Sequence, residues 1–97
     1  MNKYETVIII NSKITKEQKR EVINKVEGYI SSNGNITSTE DLGTRKLAYE
    51  VRKQKEADYY VINFECDADK IAELERIYRI TDEIIKFIVV RRDDENE

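Results

Sequence analysis

The hydrophobic pattern of the first third of the chain changes from one continuous run to helical spacing. Residues 4–10, YETVIII, are a largely β-branched run without helical spacing, which predicts a buried central strand. Thr15 and Gln18 then have the spacing of a capping box. The apolar positions that follow recur every three or four residues and are Val22, Ile23, Val26 and Ile30. This pattern predicts a helix that begins after Thr15 and ends in the polar segment 31–34.

The middle of the chain predicts two further strands. In residues 36–51, Leu47, Tyr49 and Val51 alternate and are expected to face the packed side, while Gly43 indicates a bulge or a close backbone approach. Residues 52–58 are polar and are expected to form a loop. Residues 59–66 have the clearest strand pattern of the chain. One face of that strand holds Tyr60, Ile62, Phe64 and Cys66, and the other holds Tyr59, Val61, Asn63 and Glu65.

The last third of the chain predicts one helix and one strand. Ile71, Leu74 and Tyr78 have helical spacing, with Asp67 as the expected N-cap, and residues 84–92 form the last strand. The order β-α-β-β-α-β belongs to the α+β class and is ferredoxin-like, with a four-stranded antiparallel sheet and two helices on one face. We therefore expect a single domain over residues 1–92, with the first and third strands central. Residues 93–97, DDENE, are expected to form a short acidic disordered tail.

Length and composition narrow the class of protein. The 97 residues allow one compact domain, and a charged fraction of 38% predicts a strongly solvated surface. No apolar run approaches the roughly 18 residues that cross a bilayer, and the N-terminal segment lacks a signal-peptide cleavage site. The single cysteine cannot form an internal disulfide. A cytoplasmic location is therefore expected.

The sequence lacks the residues of the common metal-ligand clusters and of histidine-based nucleophile triads, although a serine or carboxylate mechanism remains open. The chain has no histidine, one cysteine and three widely spaced glycines, which argues against a metal cluster, a histidine triad or a phosphate-binding loop. We expect no cofactor, no metal and no enzymatic activity. Glu5 and Glu65 face the same way on neighbouring strands, as an acid–base pair would. Lys3 and Arg92 are expected at the same corner, so a salt-bridged cluster is the better interpretation. Cys66 likewise fits the core better than a reactive site.

The sheet face opposite the helices is predicted to be apolar at its centre. The residues expected to face the helices are Tyr4, Thr6, Ile8, Ile10, Tyr60, Ile62, Phe64, Phe87 and Val89. The open face collects Val7, Ile9, Tyr59, Val61, Ile88 and Val90. An apolar patch of this kind predicts a protein partner or a second copy of the chain, although long charged side chains lying across it would make it smaller. The six open-face residues are the candidate partner interface. They do not reproduce the aromatic pairs with which RNA-recognition domains stack bases.

Basic residues are concentrated in one segment. The formal net charge is −3, yet residues 44–55 contain five basic residues and one acidic residue. The basic ones are Arg45, Lys46, Arg52, Lys53 and Lys55. On charge alone, a solvated edge that prevents strand-to-strand aggregation is the better explanation, and phosphate contact is the alternative.

Several segments resemble the bacterial small-subunit ribosomal protein S6 family. The most specific is residues 42–49, LGTRKLAY, which is similar to that family's L/W-G-x-R-x-L-A-Y stretch. The start at Tyr4-Glu5, the strand 59–65 and the ending 84–92 add to the resemblance, which spans residues 3–92. Glu50 stands where the family often has a proline. The resemblance implies a structural constituent of the small ribosomal subunit that binds the central domain of small-subunit ribosomal RNA. It also implies a heterodimer with the basic ribosomal protein S18.

The resemblance makes contact with RNA phosphates the better interpretation of the basic residues. Such contacts position a protein on RNA without reading the base sequence. The candidate RNA-binding residues are Lys3, Arg45, Lys46, Arg52, Lys86 and Arg91. A basic partner on the apolar face would supply charge that this acidic chain lacks.

Two alternatives stay open at this point. A homo-oligomeric regulatory domain of the same topology would use the apolar face for self-association. An acyl-phosphate hydrolase on this fold would need an arginine in an anion-binding loop after the first strand. Residues 11–15, NSKIT, contain neither arginine nor glycine, which argues against the enzyme.

Overall fold

The first strand and the first helix form as predicted. In the computed structural model, which describes residues 1–92, β1 spans Asn2–Asn11 and α1 spans Lys16–Asn33. The Thr15 hydroxyl accepts from the Gln18 N–H at 3.1 Å, and the Gln18 side chain accepts from the Thr15 N–H at 2.9 Å. The capping box is therefore confirmed.

The second and third strands form one long hairpin. β2 spans Gly34–Val51 and β3 spans Gln54–Cys66, so only Arg52 and Lys53 connect them. The predicted loop over residues 52–58 is therefore wrong. Both connecting residues have positive φ, 52° and 63°, as a two-residue hairpin turn requires. Such turns usually carry Asn-Gly or Asp-Gly, so two long cationic residues gave no sequence signal for one.

The second helix is preceded by a short 3-10 turn. That turn spans Ala68–Lys70, α2 spans Ile71–Ile80, and β4 follows at Ile84–Arg91. The predicted side-chain cap at Asp67 is wrong, because the segment opens with a backbone bond in which the Asp67 carbonyl accepts from the Lys70 N–H at 3.0 Å. No helix of residues 1–92 is long and apolar enough to cross a membrane.

The four strands form one antiparallel sheet in the order β2-β3-β1-β4, with β1 and β3 central as predicted. Both helices pack on one face, where Val26 and Ile30 of α1 and Leu74 of α2 are buried against the sheet. All nine strand residues predicted to face the helices are buried there or packed against that core. The ferredoxin-like α+β fold is confirmed. The predicted acidic tail, residues 93–97, lies outside the described part of the chain.

Gly34 marks a close approach between the end of α1 and β3. It pairs with Cys66, and a Cβ atom built on it would lie 1.9 Å from the Glu65 carbonyl oxygen. Its φ of −176° is ordinary extended backbone. Lack of space, rather than a left-handed conformation, therefore requires glycine where the helix ends.

A second, smaller apolar cluster lies on the open face, at the end of the sheet next to the hairpin turn. Its buried members are Ile9, Ala57 and Ile85, and Val7, Leu47 and Tyr59 pack against them. Because Leu47 comes from β2, this cluster holds the hairpin against the open face.

Candidate functional site

The register of the sheet brings the six candidate partner residues onto one face. Val7 of β1 lies opposite Val61 of β3 on one side and Ile88 of β4 on the other. The neighbouring pairs on this face are Ile9 with Tyr59 and Glu5 with Val90.

The exposed part of this face is smaller than the sequence suggested. Ile9 and Val61 are only 5% and 8% exposed, whereas Ile88 and Val90 are both 45% exposed. The second apolar cluster accounts for the burial of Ile9, because residues of the hairpin pack against it. What remains is an apolar strip along β4, which we call the β4 strip and define by Ile88 and Val90.

The six candidate RNA-binding residues divide between the two ends of the sheet. Lys3 and Arg91 lie near the start of β1, where they pair with Glu65 and Tyr4. The other four lie at the opposite end and are Arg45, Lys46, Arg52 and Lys86. The structure therefore does not gather all six into one site.

Arg45 and Lys46 face opposite sides of the sheet, as consecutive strand residues do. Arg45 pairs with Ala57, whose side chain lies in the open-face cluster, and its Nε donates to the Leu42 carbonyl at 3.1 Å. Lys46 pairs with Glu56. Both cations are exposed.

Arg52 of the hairpin turn and Lys86 of β4 line one cleft together with Arg79 of α2. Sequence reasoning missed Arg79. Its guanidinium bonds to Glu75 at 3.3 Å and lies 5.9 Å from the centre of the Phe87 ring. The spacing of Glu75 and Arg79 is typical of any exposed helix surface, so it carried no functional signal.

The segment 42–49 begins at a bulge that Gly43 makes possible, as predicted. The register shifts between Asp41 and Gly43, and Gly43 has φ of +76°. The Gly43 N–H donates to Asp41 Oδ1 at 2.9 Å. Lys19 of α1 lies 3.3 Å from the Asp41 carboxylate and 3.5 Å from that of Asp58, so it ties the bulge to the helix.

A larger irregularity follows in β2. Four residues, 47–50, lie between its ladder pairs at Lys46 and Val51, whereas β3 has only Lys55 in the same interval. The extra residues interrupt the alternation. The expectation that Tyr49 packs on the same side as Leu47 and Val51 is therefore wrong, and Tyr49 is 73% exposed.

Glu5 lies in an ion pair and Cys66 lies in the core, as predicted. Glu5 accepts from the Arg92 guanidinium at 2.5 Å, which confirms the salt bridge at this corner. Burial raises the pKa of the Cys66 thiol, and the nearby Asp67 and Asp69 carboxylates raise it further, so the thiol is a protonated core group. Within residues 1–92, no set of cysteine and carboxylate side chains is placed to hold a metal ion.

Comparison with known proteins gives one consistent family. A family model described as "Ribosomal protein S6" matches residues 3–91. The small ribosomal subunit protein bS6 of Alkaliphilus oremlandii is 38% identical over 91 residues, which cover 94% of this chain and 97% of that protein. The bS6 protein of Thermotoga neapolitana is 42% identical over 93 residues, covering 94% of this chain and 73% of that protein.

A solved structure agrees with the sequence relatives. The crystal structure of 30S ribosomal protein S6 from Thermotoga maritima has a TM-score of 0.92 and 38% identity, and the match covers 98% of this chain and 91% of that one. The similarity thus extends through the long hairpin and both helices, not through the sheet alone.

Proposed function

This chain belongs to the ribosomal protein S6 family, and we propose that it binds the central domain of small-subunit ribosomal RNA together with ribosomal protein S18. Family membership makes it a structural protein of the small ribosomal subunit, in the cytoplasm, and not an enzyme. The resemblance of the sequence to the S6 family is thereby confirmed. In the proposal, residues 1–92 act as one domain that binds both RNA and protein.

The β4 strip supports the proposed binding to S18. Ile88 and Val90 are apolar, adjacent on the open face and nearly half exposed, at the outer edge of a face whose remaining apolar residues are already buried or half-buried. An apolar centre with a polar rim is the usual composition of a protein interface. Glu5 and Lys86 border it on the same face, so a basic partner finds both an apolar contact and a nearby carboxylate.

The local concentration of positive charge supports the proposed binding to RNA. The whole chain has a net charge of −3, so its overall field repels phosphate. Four exposed cations at the hairpin end of the sheet, with Arg45 and Lys46 on opposite faces, nevertheless offer local contacts for a phosphate backbone. A basic partner seated on the β4 strip would add positive charge beside them.

Aspartate substitutions in the β4 strip test the partner interface. Ile88→Asp and Val90→Asp should each weaken S18 binding at least tenfold, because a charge would be buried without a partner in the complex. Both residues are 45% exposed in the free chain, so the circular-dichroism spectrum should not change. Val61→Asp is unsuitable, because Val61 is only 8% exposed and its substitution should unfold the chain. Calorimetric titration of S18 into each variant measures the effect.

Ile80→Asp is the matched control, because Ile80 is 59% exposed at the end of α2 and lies outside the strip. It should bind S18 as the parent chain does. If Val90→Asp also binds normally, the β4 strip is not the interface. A parent chain that forms a stable homodimer and binds neither S18 nor ribosomal RNA would instead support the self-association alternative.

A further inference from the structure

We propose that Tyr49 stacks on an unpaired RNA base, while lysines around it contact the phosphates on either side of that base. This inference rests on the proposed RNA-binding function and adds a contact of a different chemical kind to the six basic residues. It concerns the end of the hairpin that extends beyond β1, residues 47–55, which we call the arm.

The exposure of Tyr49 is the first observation. Among the large hydrophobic residues of the described chain, Tyr49 is the most exposed, at 73%. The four-residue bulge in β2 presents it, and that bulge is held by ladder pairs at both ends, Lys46 with Glu56 and Val51 with Gln54. Leu47, two residues earlier, packs against the second apolar cluster. The aromatic ring is thus displayed from an anchored backbone, which lowers the entropy cost of binding.

The surroundings of Tyr49 are the second observation. The ring lines a cleft that also contains Lys13, Lys46, Lys53 and Lys55. Two carboxylates, Glu50 and Glu56, line it as well, so cationic groups outnumber anionic ones by two. The volume is about 680 Å³, within the roughly 300–1,000 Å³ of sites that take small-molecule ligands. The cleft thus has room for a nucleotide.

The walls of this cleft are fixed to each other. Lys13 comes from the connection between β1 and α1, and its backbone N–H donates to Asn11 Oδ1 at 2.8 Å. The neighbouring Ser12 hydroxyl donates to the Glu56 carbonyl of β3 at 3.4 Å. The backbone at Lys13 is consequently tied to β3 beside the arm. Lys13 was not among the candidates from sequence, because a lone lysine in a short connection carries no pattern.

An aromatic ring among cations is the arrangement that binds single-stranded nucleic acid. Every base has a π-face, so stacking on tyrosine tolerates any sequence, and lysines track the backbone on either side. A protein partner would instead require a contiguous apolar surface, whereas most of the side chains that line the cleft with Tyr49 are charged or polar. RNA is therefore the partner that this chemistry fits.

Substitution of Tyr49 tests the inference in the ternary complex of this chain, S18 and a central-domain fragment of small-subunit ribosomal RNA. Tyr49→Ala should weaken RNA binding five- to a hundredfold, the range of one base–aromatic stack. Tyr49→Phe should bind as the parent chain does, because the ring remains. Tyr49→Leu should lose most of the affinity that Tyr49→Ala loses. None of these changes should alter thermal unfolding by more than a few degrees, since the side chain is exposed.

Salt dependence separates stacking from charge. Tyr49→Ala should leave the slope of log K against log salt unchanged, because the ring neutralises no phosphate. Lys53→Ala with Lys55→Ala should reduce that slope by about 0.7–0.9 for each phosphate that is no longer neutralised. Ile80→Ala, a change at another exposed hydrophobic residue, should affect neither the affinity nor the slope.

Two results would overturn the inference. One is RNA binding by Tyr49→Ala equal to that of the parent chain. The other is weaker binding of Tyr49→Ala to S18 in the absence of RNA, which would assign the ring to a protein contact. A parent chain that fails to bind the RNA fragment even with S18 is a different result, because it would refute the proposed function itself.

Discussion

At the scale of single residues, a buried pair of hydroxyl groups links the sheet to α2. The Thr6 hydroxyl donates to the Ile88 carbonyl at 2.9 Å and lies 3.1 Å from the Tyr78 hydroxyl. Thr6 has only one hydroxyl proton, so the Tyr78 hydroxyl must be the donor of the second bond. In the described chain, no buried side-chain nitrogen or oxygen lacks a hydrogen-bond partner. The loss of unfolding free energy on substituting either hydroxyl can therefore be predicted.

We expect Tyr78→Phe to lower the free energy of unfolding by about 1 kcal/mol near neutral pH, because one hydrogen bond is lost and no donor is left unpaired. Thr6→Val should cost more, roughly 2–4 kcal/mol, since it leaves both the Tyr78 hydroxyl and the Ile88 carbonyl without their partner. Urea denaturation of the three proteins measures the difference. Equal losses for the two variants would contradict this assignment of donor and acceptor.

The same residue predicts how stability changes at alkaline pH. Burial raises the pKa of Tyr78 far above the usual value of 10.0, so the folded chain keeps a proton that the unfolded chain loses. Stability is therefore fully present below about pH 10 and falls as the pH rises above it. Tyr78→Phe should show a shallower fall in the same denaturation experiments between about pH 8 and about pH 11. An unchanged slope would mean that other groups, such as Cys66, cause the loss.

At the scale of elements, regular hydrophobic periodicity predicted the helices and strands well, whereas irregular backbone geometry could not be predicted from the sequence. β1 and α1 carry uninterrupted patterns with a capping box, so their existence, type and buried faces followed from the sequence. The hairpin turn did not, because Arg52 and Lys53 adopt positive φ without the residues that usually do so. A long, cation-rich hairpin therefore looked like a strand followed by a loop.

The residues of the candidate site were likewise predictable where the strands are regular and unpredictable where they are not. The six open-face residues could be found because alternation along three strands places them together, although burial by the hairpin could not be foreseen. Tyr49 was assigned to the packed side because alternation assumes an unbroken ladder. A four-residue bulge violates that assumption and leaves no mark in the sequence.

Two glycines provide a matched test of the helix and its end. Gly34→Ala should destabilise the chain by several kcal/mol, because the new Cβ atom would lie 1.9 Å from a backbone oxygen of β3. Gly28→Ala, within α1, meets nothing within 4 Å and should stabilise the chain by about 0.5–1 kcal/mol. Thermal unfolding should thus shift in opposite directions. A mild effect at Gly34 would mean that β3 can move away from the helix end.

At the scale of the whole molecule, charge is distributed unevenly on an acidic chain. Exposed cations cluster at the hairpin end, whereas at the other end of the sheet Lys3 lies opposite Glu65 and Arg92 is paired with Glu5. The uneven distribution predicts that charge reversals at the two kinds of position have different effects on RNA binding, even though they change the net charge equally.

Arg45→Glu combined with Lys46→Glu should weaken binding to ribosomal RNA in the presence of S18. It should also lower the salt slope by about 0.7–0.9 for each phosphate that these cations neutralise in the parent complex. Lys16→Glu combined with Lys25→Glu is the matched control, since it changes net charge equally on the exposed surface of α1. Filter binding at several salt concentrations distinguishes them. If both double variants lose affinity equally, the effect is one of total charge and Arg45 and Lys46 form a protective edge.

The two-residue turn at the tip of the hairpin also limits the stability of the chain. Left-handed conformations at Arg52 and Lys53 cost about 1–2 kcal/mol each, and Asn-Gly would remove most of that cost. Natural proteins are seldom at their maximum stability, so a position that departs from the most stable choice can be changed to raise the stability. At this tip the less stable pair of residues carries two positive charges, and Arg52 shares a cleft with Lys86 of β4. A more thermostable version of this protein is therefore easy to specify at the turn, and it would lose two of the cations at the hairpin end.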